Sequence, residues 1–134
     1  MISLIIPAYN EVDQIAGTIA KIRERCNADF PEIIVVDGGS ADDTRSVAEA
    51  AGAKVVMGPK GRAKQMNYGA LIAKGEILYF LHADSIPPLR FTQYIADAYR
   101  QGAVSGCFRL AFDHDHWFLR ANSWFTRFEI NGIR

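Results

Sequence analysis

The sequence predicts an α/β fold: a mostly parallel sheet with helices on both faces, in three α/β/α layers. Three observations predict it. Ile77-Leu78-Tyr79-Phe80-Leu81 is an unbroken apolar run bounded by Gly75 and by Pro87-Pro88, the pattern of a strand buried on both faces. Ile33-Ile34-Val35-Val36 is a second such run, rich in β-branched residues. Between these runs lie segments with helical spacing, and the alternation covers most of the chain.

In order, residues 3–7 form a short apolar strand ending at Pro7. A helix follows, with Val12, Ile15, Ile19 and Ile22 on one stripe and Asn10 as its expected N-cap. The Ile33–Val36 strand runs into Asp37-Gly38-Gly39-Ser40. Ser40 and Asp43 resemble a capping box for a helix from about Ala41 to Ala51, which Gly52 ends. Lys54 to Met57 is a third strand, and Arg62 to Lys74 a helix stopped by Gly75. After the fourth strand, Pro88 opens a helix to about Gln101. Ala103 to Phe112 has strand character, and Trp117 to Phe128 reads as an aromatic helix. Core packing explains those aromatics, and a partner or membrane surface is the second reading.

Composition narrows the function. At 134 residues the chain is one domain's worth, with 15 basic and 15 acidic side chains, so no global charge points to nucleic acid. Cys26 and Cys107 have no metal-ligand spacing, and two reduced thiols in a cytoplasm are expected. No stretch reaches the roughly 20 apolar residues of a membrane span. Neither a Gly-x-Gly-x-x-Gly dinucleotide fingerprint nor a Gly-x-x-x-x-Gly-Lys-Ser/Thr phosphate loop is present.

The chemistry gathers past three strand ends: Pro7-Ala8-Tyr9-Asn10-Glu11, Asp37-Gly38-Gly39-Ser40 and His82-Ala83-Asp84. Ligands of open α/β sheets bind outside the carboxyl ends of the strands, so neighbouring strands would bring these segments to one cleft. Tyr9 can stack on a base, and Asp37 can accept from a base or ribose, or form the turn. Gly38 and Gly39 permit close backbone approach, and Asp84 can hold a cation against phosphates or cap the next helix.

Four stretches carry a family resemblance: SLIIPAYNE (3–11), EIIVVDGGSADDT (32–44), GRAKQMNYGA (61–70) and GEILYFLHAD (75–84). In this order they resemble the nucleotide-sugar-binding part of glycosyltransferase family 2, a Rossmann-like GT-A fold. They look closest to a bacterial subgroup whose acidic motif reads His-Ala-Asp. The resemblance implies a glycosyltransferase acting on a UDP- or GDP-linked sugar and an acceptor, dependent on Mn²⁺ or Mg²⁺ and inverting. Pro7, Ala8, Tyr9 and Glu11 match positions lining the base and ribose pocket. Asp37 matches the residue that contacts the base, with Gly39 beside it. Asp84 matches the metal-binding acid of an Asp-x-Asp motif in which His82 replaces the first Asp and Ala83 lies between. Arg62 and Lys64, at a helix start, are expected near the phosphates.

An inverting transferase also needs a general base. Asp113, Asp115 and Glu129 are the late carboxylates, and none has the family's context. The expectation is a single domain, about 1–105 forming the donor half and about 106–134 the start of the acceptor side, C-terminally incomplete. A non-catalytic nucleotide-sugar-binding module is the alternative, and a nucleotidyltransferase is disfavoured. Peripheral membrane contact through the aromatic C-terminal segment and a homo-oligomer remain compatible with the sequence.

Overall fold

The computed structural model describes residues 1–26, 30–108 and 123–127, with side chains outside 106–108 and 123–127. Four parallel strands are built as expected: β1 (Ile2–Ala8), β2 (Glu32–Asp37), β3 (Lys54–Met57) and β4 (Ile77–Leu81). Helices α1 (Ile15–Arg25), α2 (Thr44–Ala50), α3 (Arg62–Ile72) and α4 (Phe91–Arg100) alternate with them. Two further strands, β5 (Ser105–Phe108) and β6 (Ser123–Arg127), complete a sheet of order β3-β2-β1-β4-β6-β5.

Side chains alternate across the sheet with period two. Leu4, Ile6, Ile33, Val35, Tyr79 and Leu81 face one core, with Ile15, Ile19 and Ile22 of α1, Ala48 of α2, and Phe91 and Ile95 of α4. Ile5, Ile34, Val36, Leu78 and Phe80 face the other, against Met66, Ala70 and Ile72 of α3. Burial on both faces is why these strands read as continuous apolar runs. Burying each large aliphatic side chain contributes about 1.5–3 kcal/mol.

Helix α3 lies close to the sheet because Gly69 lacks a side chain. A Cβ there would sit 2.6 Å from Ile5 Cγ2 and 3.1 Å from Val36 Cγ2, both on buried side chains. Gly69→Ala gains about 1 kcal/mol of helix propensity but overpacks the interface at a cost of about 1–3 kcal/mol. The expected result is a net loss, seen as a lower urea midpoint at unchanged slope.

Three expectations are corrected. The segment read as a helix from Trp117 to Phe128 is a strand where it is described. Ser123–Arg127 pairs antiparallel with β4, Phe125 opposite Tyr79 and Trp124 opposite Phe80. Residues 109–122 and 128–134, including Trp117, Phe118 and Phe128, lie outside the described residues. Asn10 does not cap α1, which starts after Gln14. Asn10 instead has φ 53°, a left-handed conformation Asn tolerates, and turns the loop after β1. Ser40 and Asp43 form no capping box either. Helix α2 begins at Thr44, whose N–H donates to Asp42 Oδ1 at 2.9 Å.

Candidate active site

Strand order 3-2-1-4 places a topological switch point between β1 and β4, where the connections leave in opposite directions. Crevices of α/β sheets open there, outside the carboxyl ends of the strands. The loops after β1, β2 and β4 all emerge at that edge, because the three strands are parallel neighbours.

A cleft of about 200 Å³ opens beside the end of β1, lined by Pro7, Ala8, Tyr9, Glu11, Lys60, Gly61, Arg62 and Gln65. The Tyr9 ring is partly exposed, and the Lys60 ammonium lies 4.3 Å from its centroid, a cation–π distance. Lys60 Nζ also donates to the Tyr9 hydroxyl at 3.3 Å. The cleft thus offers an aromatic face framed by two cations, Lys60 and Arg62.

Asp84 is exposed three residues past β4 and lines a second hollow of about 340 Å³ with Asp13, Gln14, Thr18 and Ile86. Electrostatics join the two hollows. Burial, and next the Asp84 carboxylate, raise the Glu11 pKa from its ordinary value, while Arg62 opposes the shift. Burial and then the Arg62 guanidinium lower the His82 pKa, and Asp84 pulls it the other way. His82 is therefore neutral near pH 7, with a ring nitrogen lone pair to offer. Arg62 and Asp84 thus act on both Glu11 and His82 at a single edge of the sheet.

Asp37 takes the turn-forming role that the sequence also allowed. Its side chain is fully buried and turned into its own loop. Oδ2 accepts from the Gly39 N–H at 3.0 Å and the Ser40 N–H at 2.8 Å, and Oδ1 from the Ser40 hydroxyl at 2.5 Å. Arg45 Nε stands 3.8 Å from Oδ2. This carboxylate shapes the loop after β2 and is not among the residues lining the cleft beside β1. Gly39, at φ +100°, supplies the left-handed turn that closes that loop. Ala83 is likewise buried, its carbonyl accepting from the Thr18 hydroxyl. Lys64 lies on the exposed side of α3 and does not line the cleft.

The loops after β1 and β2 are laced together. Asn10 N–H donates to Ser40 Oγ and Glu11 N–H to Thr44 Oγ1, each at 2.8 Å, and Asn10 Oδ1 accepts from Ala41 N–H at 2.8 Å. A rigid frame therefore stands behind Tyr9 and Glu11.

Two residues of the site, Lys60 and Gln65, were not singled out from the sequence. Lys60 sits in a Gly-Pro-Lys-Gly loop whose path is not encoded locally. Gln65 carried a usable signal: it shares a helical stripe with Gly69 and Ile72, a polar residue on the face that packs against the sheet.

Among the described residues, no three His, Cys, Asp or Glu side chains cluster in metal-binding geometry. Mg²⁺ and Mn²⁺ at diphosphate sites do not require such a cage. One or two carboxylates plus phosphate oxygens and water suffice for Mg²⁺. Asp84, with neutral His82 beside it, fits that kind of site. A larger cavity of about 560 Å³, lined by Met1, Ile2, Glu76, Ile77, Tyr99 and Arg100 among others, lies at the opposite edge, where β1 and β4 begin. It is far from every strand end that carries chemistry.

Among known proteins, the family model "Glycosyl transferase family 2" matches residues 3–133. Glucosyl-3-phosphoglycerate synthase of Mycolicibacterium paratuberculosis is 33% identical over 96 residues, covering 65% of this chain and 29% of that protein. The chain thus spans less than a third of that relative's length. The crystal structure of the Mycobacterium tuberculosis glucosyl-3-phosphoglycerate synthase matches with a TM-score of 0.72 at 22% identity, over 95% of this chain and 57% of that one. The same enzyme in complex with Mg²⁺ and UDP matches with a TM-score of 0.61 at 29% identity, over 74% of this chain and 39% of that one. The architecture is the GT-A fold of these transferases. With the family model matched from Ser3 to Ile133, the chain belongs to glycosyl transferase family 2.

Proposed function

We propose that this chain is the donor-binding part of a glycosyltransferase that takes its sugar from a UDP- or GDP-linked donor, with Mn²⁺ or Mg²⁺ and with inversion. The observation that carries the reading is the meeting, at one sheet edge, of the Tyr9–Lys60 aromatic platform with Arg62, His82 and Asp84. Its acidic motif is the His-Ala-Asp variant of Asp-x-Asp.

The roles follow from chemistry. Tyr9 stacks on the base, with the backbone of Pro7 and Ala8 forming the floor. Arg62 lies toward the diphosphate, where a guanidinium can pair with two oxygens. Asp84 holds the divalent cation, and neutral His82 ligates it or hydrogen-bonds a ribose hydroxyl. Transfer forms a bond from an acceptor oxygen to the sugar's anomeric carbon and breaks that carbon's bond to the diphosphate. Both electrons leave on the diphosphate, and the acceptor's proton passes to a base. A divalent cation offsets the negative charge developing on the leaving group. Asp113, Asp115 and Glu129, the late carboxylates, lie outside the described residues. The Cys26 thiol is free, and no helix among the described residues is long and apolar enough to cross a membrane.

Calorimetric titration with UDP- and GDP-sugars, with and without Mn²⁺, tests the reading. Binding of at least one donor, tightened by Mn²⁺, is expected; no binding of either overturns it. A transfer assay on the same sample distinguishes an enzyme from a binding module. Lys60→Ala is expected to weaken donor binding about two- to fivefold, the scale of an exposed cation–π contact. Unchanged affinity would remove Lys60 from the site.

A further inference from the structure

We propose that Gln65 is the positioning residue of the donor cleft, setting the spacing between the Tyr9 loop and the Lys60–Arg62 loop through its carboxamide. The inference rests on reading that cleft as the donor site. Gln65 is 3% exposed on the first turn of α3. Its Nε2 donates to Ala8 O at 3.0 Å and to Val36 O at 2.8 Å, and its Oε1 accepts from Gly61 N–H at 3.1 Å.

Each partner stands next to a site loop. Ala8 precedes Tyr9, Val36 precedes Asp37, and Gly61 lies between Lys60 and Arg62. One side chain thus ties together the ends of β1 and β2 and the start of α3. The backbone comes so close that a Cβ on Gly38 would lie 2.8 Å from Gln65 Oε1. Two donors and one acceptor are needed on one buried group, and a neutral carboxamide supplies both. Small displacements of binding groups cost large factors in affinity and rate, so a tie spanning three loops is a lever on the site.

Gln65→Glu keeps the shape and tests the chemistry. An ionised carboxylate opposes the Ala8 and Val36 carbonyls and repels them, whereas the protonated acid still donates one hydrogen bond. Burial raises the pKa of such a glutamate, so the titration falls in an accessible range. Donor affinity with Mn²⁺ is measured for variant and wild type from pH 5 to pH 9, with folding followed by circular dichroism. The expected ratio of dissociation constants rises with pH to about tenfold or more. Gln65→Met, which has no donors, is expected to lower affinity at every pH alike. A Gln65→Glu ratio near one throughout overturns the proposal. If Gln65→Glu does not fold, Gln65→Met decides: weakened binding by a folded protein supports the proposal and wild-type affinity overturns it. Failure of both to fold also overturns it, since Gln65 would then serve the core alone. A wild-type protein that binds no donor defeats the donor-site reading, whereas a binding wild type with indifferent variants defeats only the role of Gln65.

Discussion

Asp84→Ala removes cation-dependent donor binding and leaves the fold intact. Asp84 is exposed beyond β4, so its loss is expected to change stability by no more than about 0.5 kcal/mol. The expected effect on the site is much larger. Glu11 lines the cleft beside β1 and not the hollow that Asp84 lines, so it is no direct substitute for Asp84. His82 is neutral and brings no negative charge. Removing Asp84 deletes the best-placed anion, and donor affinity in Mn²⁺ is expected to fall about 100-fold, at or beyond the upper end for disturbing a metal site. Affinity without metal stays near the wild-type value, so the variant in Mn²⁺ should resemble the wild type in chelator. The Glu11 pKa is also expected to fall toward its ordinary value once Asp84 no longer repels its charge, a shift that side-chain NMR can follow. A variant that keeps Mn²⁺-tightened binding would move the cation to other ligands.

Much of this arrangement was legible in the residues, and the failures share a cause. Strands β1, β2 and β4 announce themselves because both faces are buried, and that burial leaves unbroken apolar runs. Tyr9 and Asp84 could be assigned to one edge on the condition that their strands are neighbours, and β1 does pair with β4. Strand β6 could not be read, because Ser-Trp-Phe-Thr-Arg is too short for its period to decide between helix and strand. Its identity comes from pairing with β4, a contact between residues far apart in sequence. The helix starts were misplaced for a related reason. Asn10 and Ser40 have capping chemistry, but each spends it on the other's loop. The same polar side chains that mark helix ends are here used to frame a cleft.

Asp37 is the sharpest case, because the sequence allowed both a base contact and a turn and the structure shows the turn. Asp37→Ala is expected to destabilise the protein by about 3 kcal/mol, the cost of leaving buried donors without a charged acceptor. Three donors lose their partner: the Gly39 and Ser40 N–H groups and the Ser40 hydroxyl. The half-exposed Arg45 adds little, since solvent screens it. In a domain of this size that loss corresponds to roughly 10 °C in melting temperature. The damage also travels. Ser40 Oγ, released from Asp37, no longer holds a fixed position for the Asn10 N–H, so the Tyr9 loop loosens and donor affinity falls with or without metal. Asp37→Asn, which keeps one acceptor oxygen, should recover part of the stability and part of the affinity together. A direct base contact predicts a different pattern: Asp37→Ala would weaken binding at unchanged melting temperature. The melting curve of the alanine variant therefore separates a carboxylate that builds the site from one that touches the ligand.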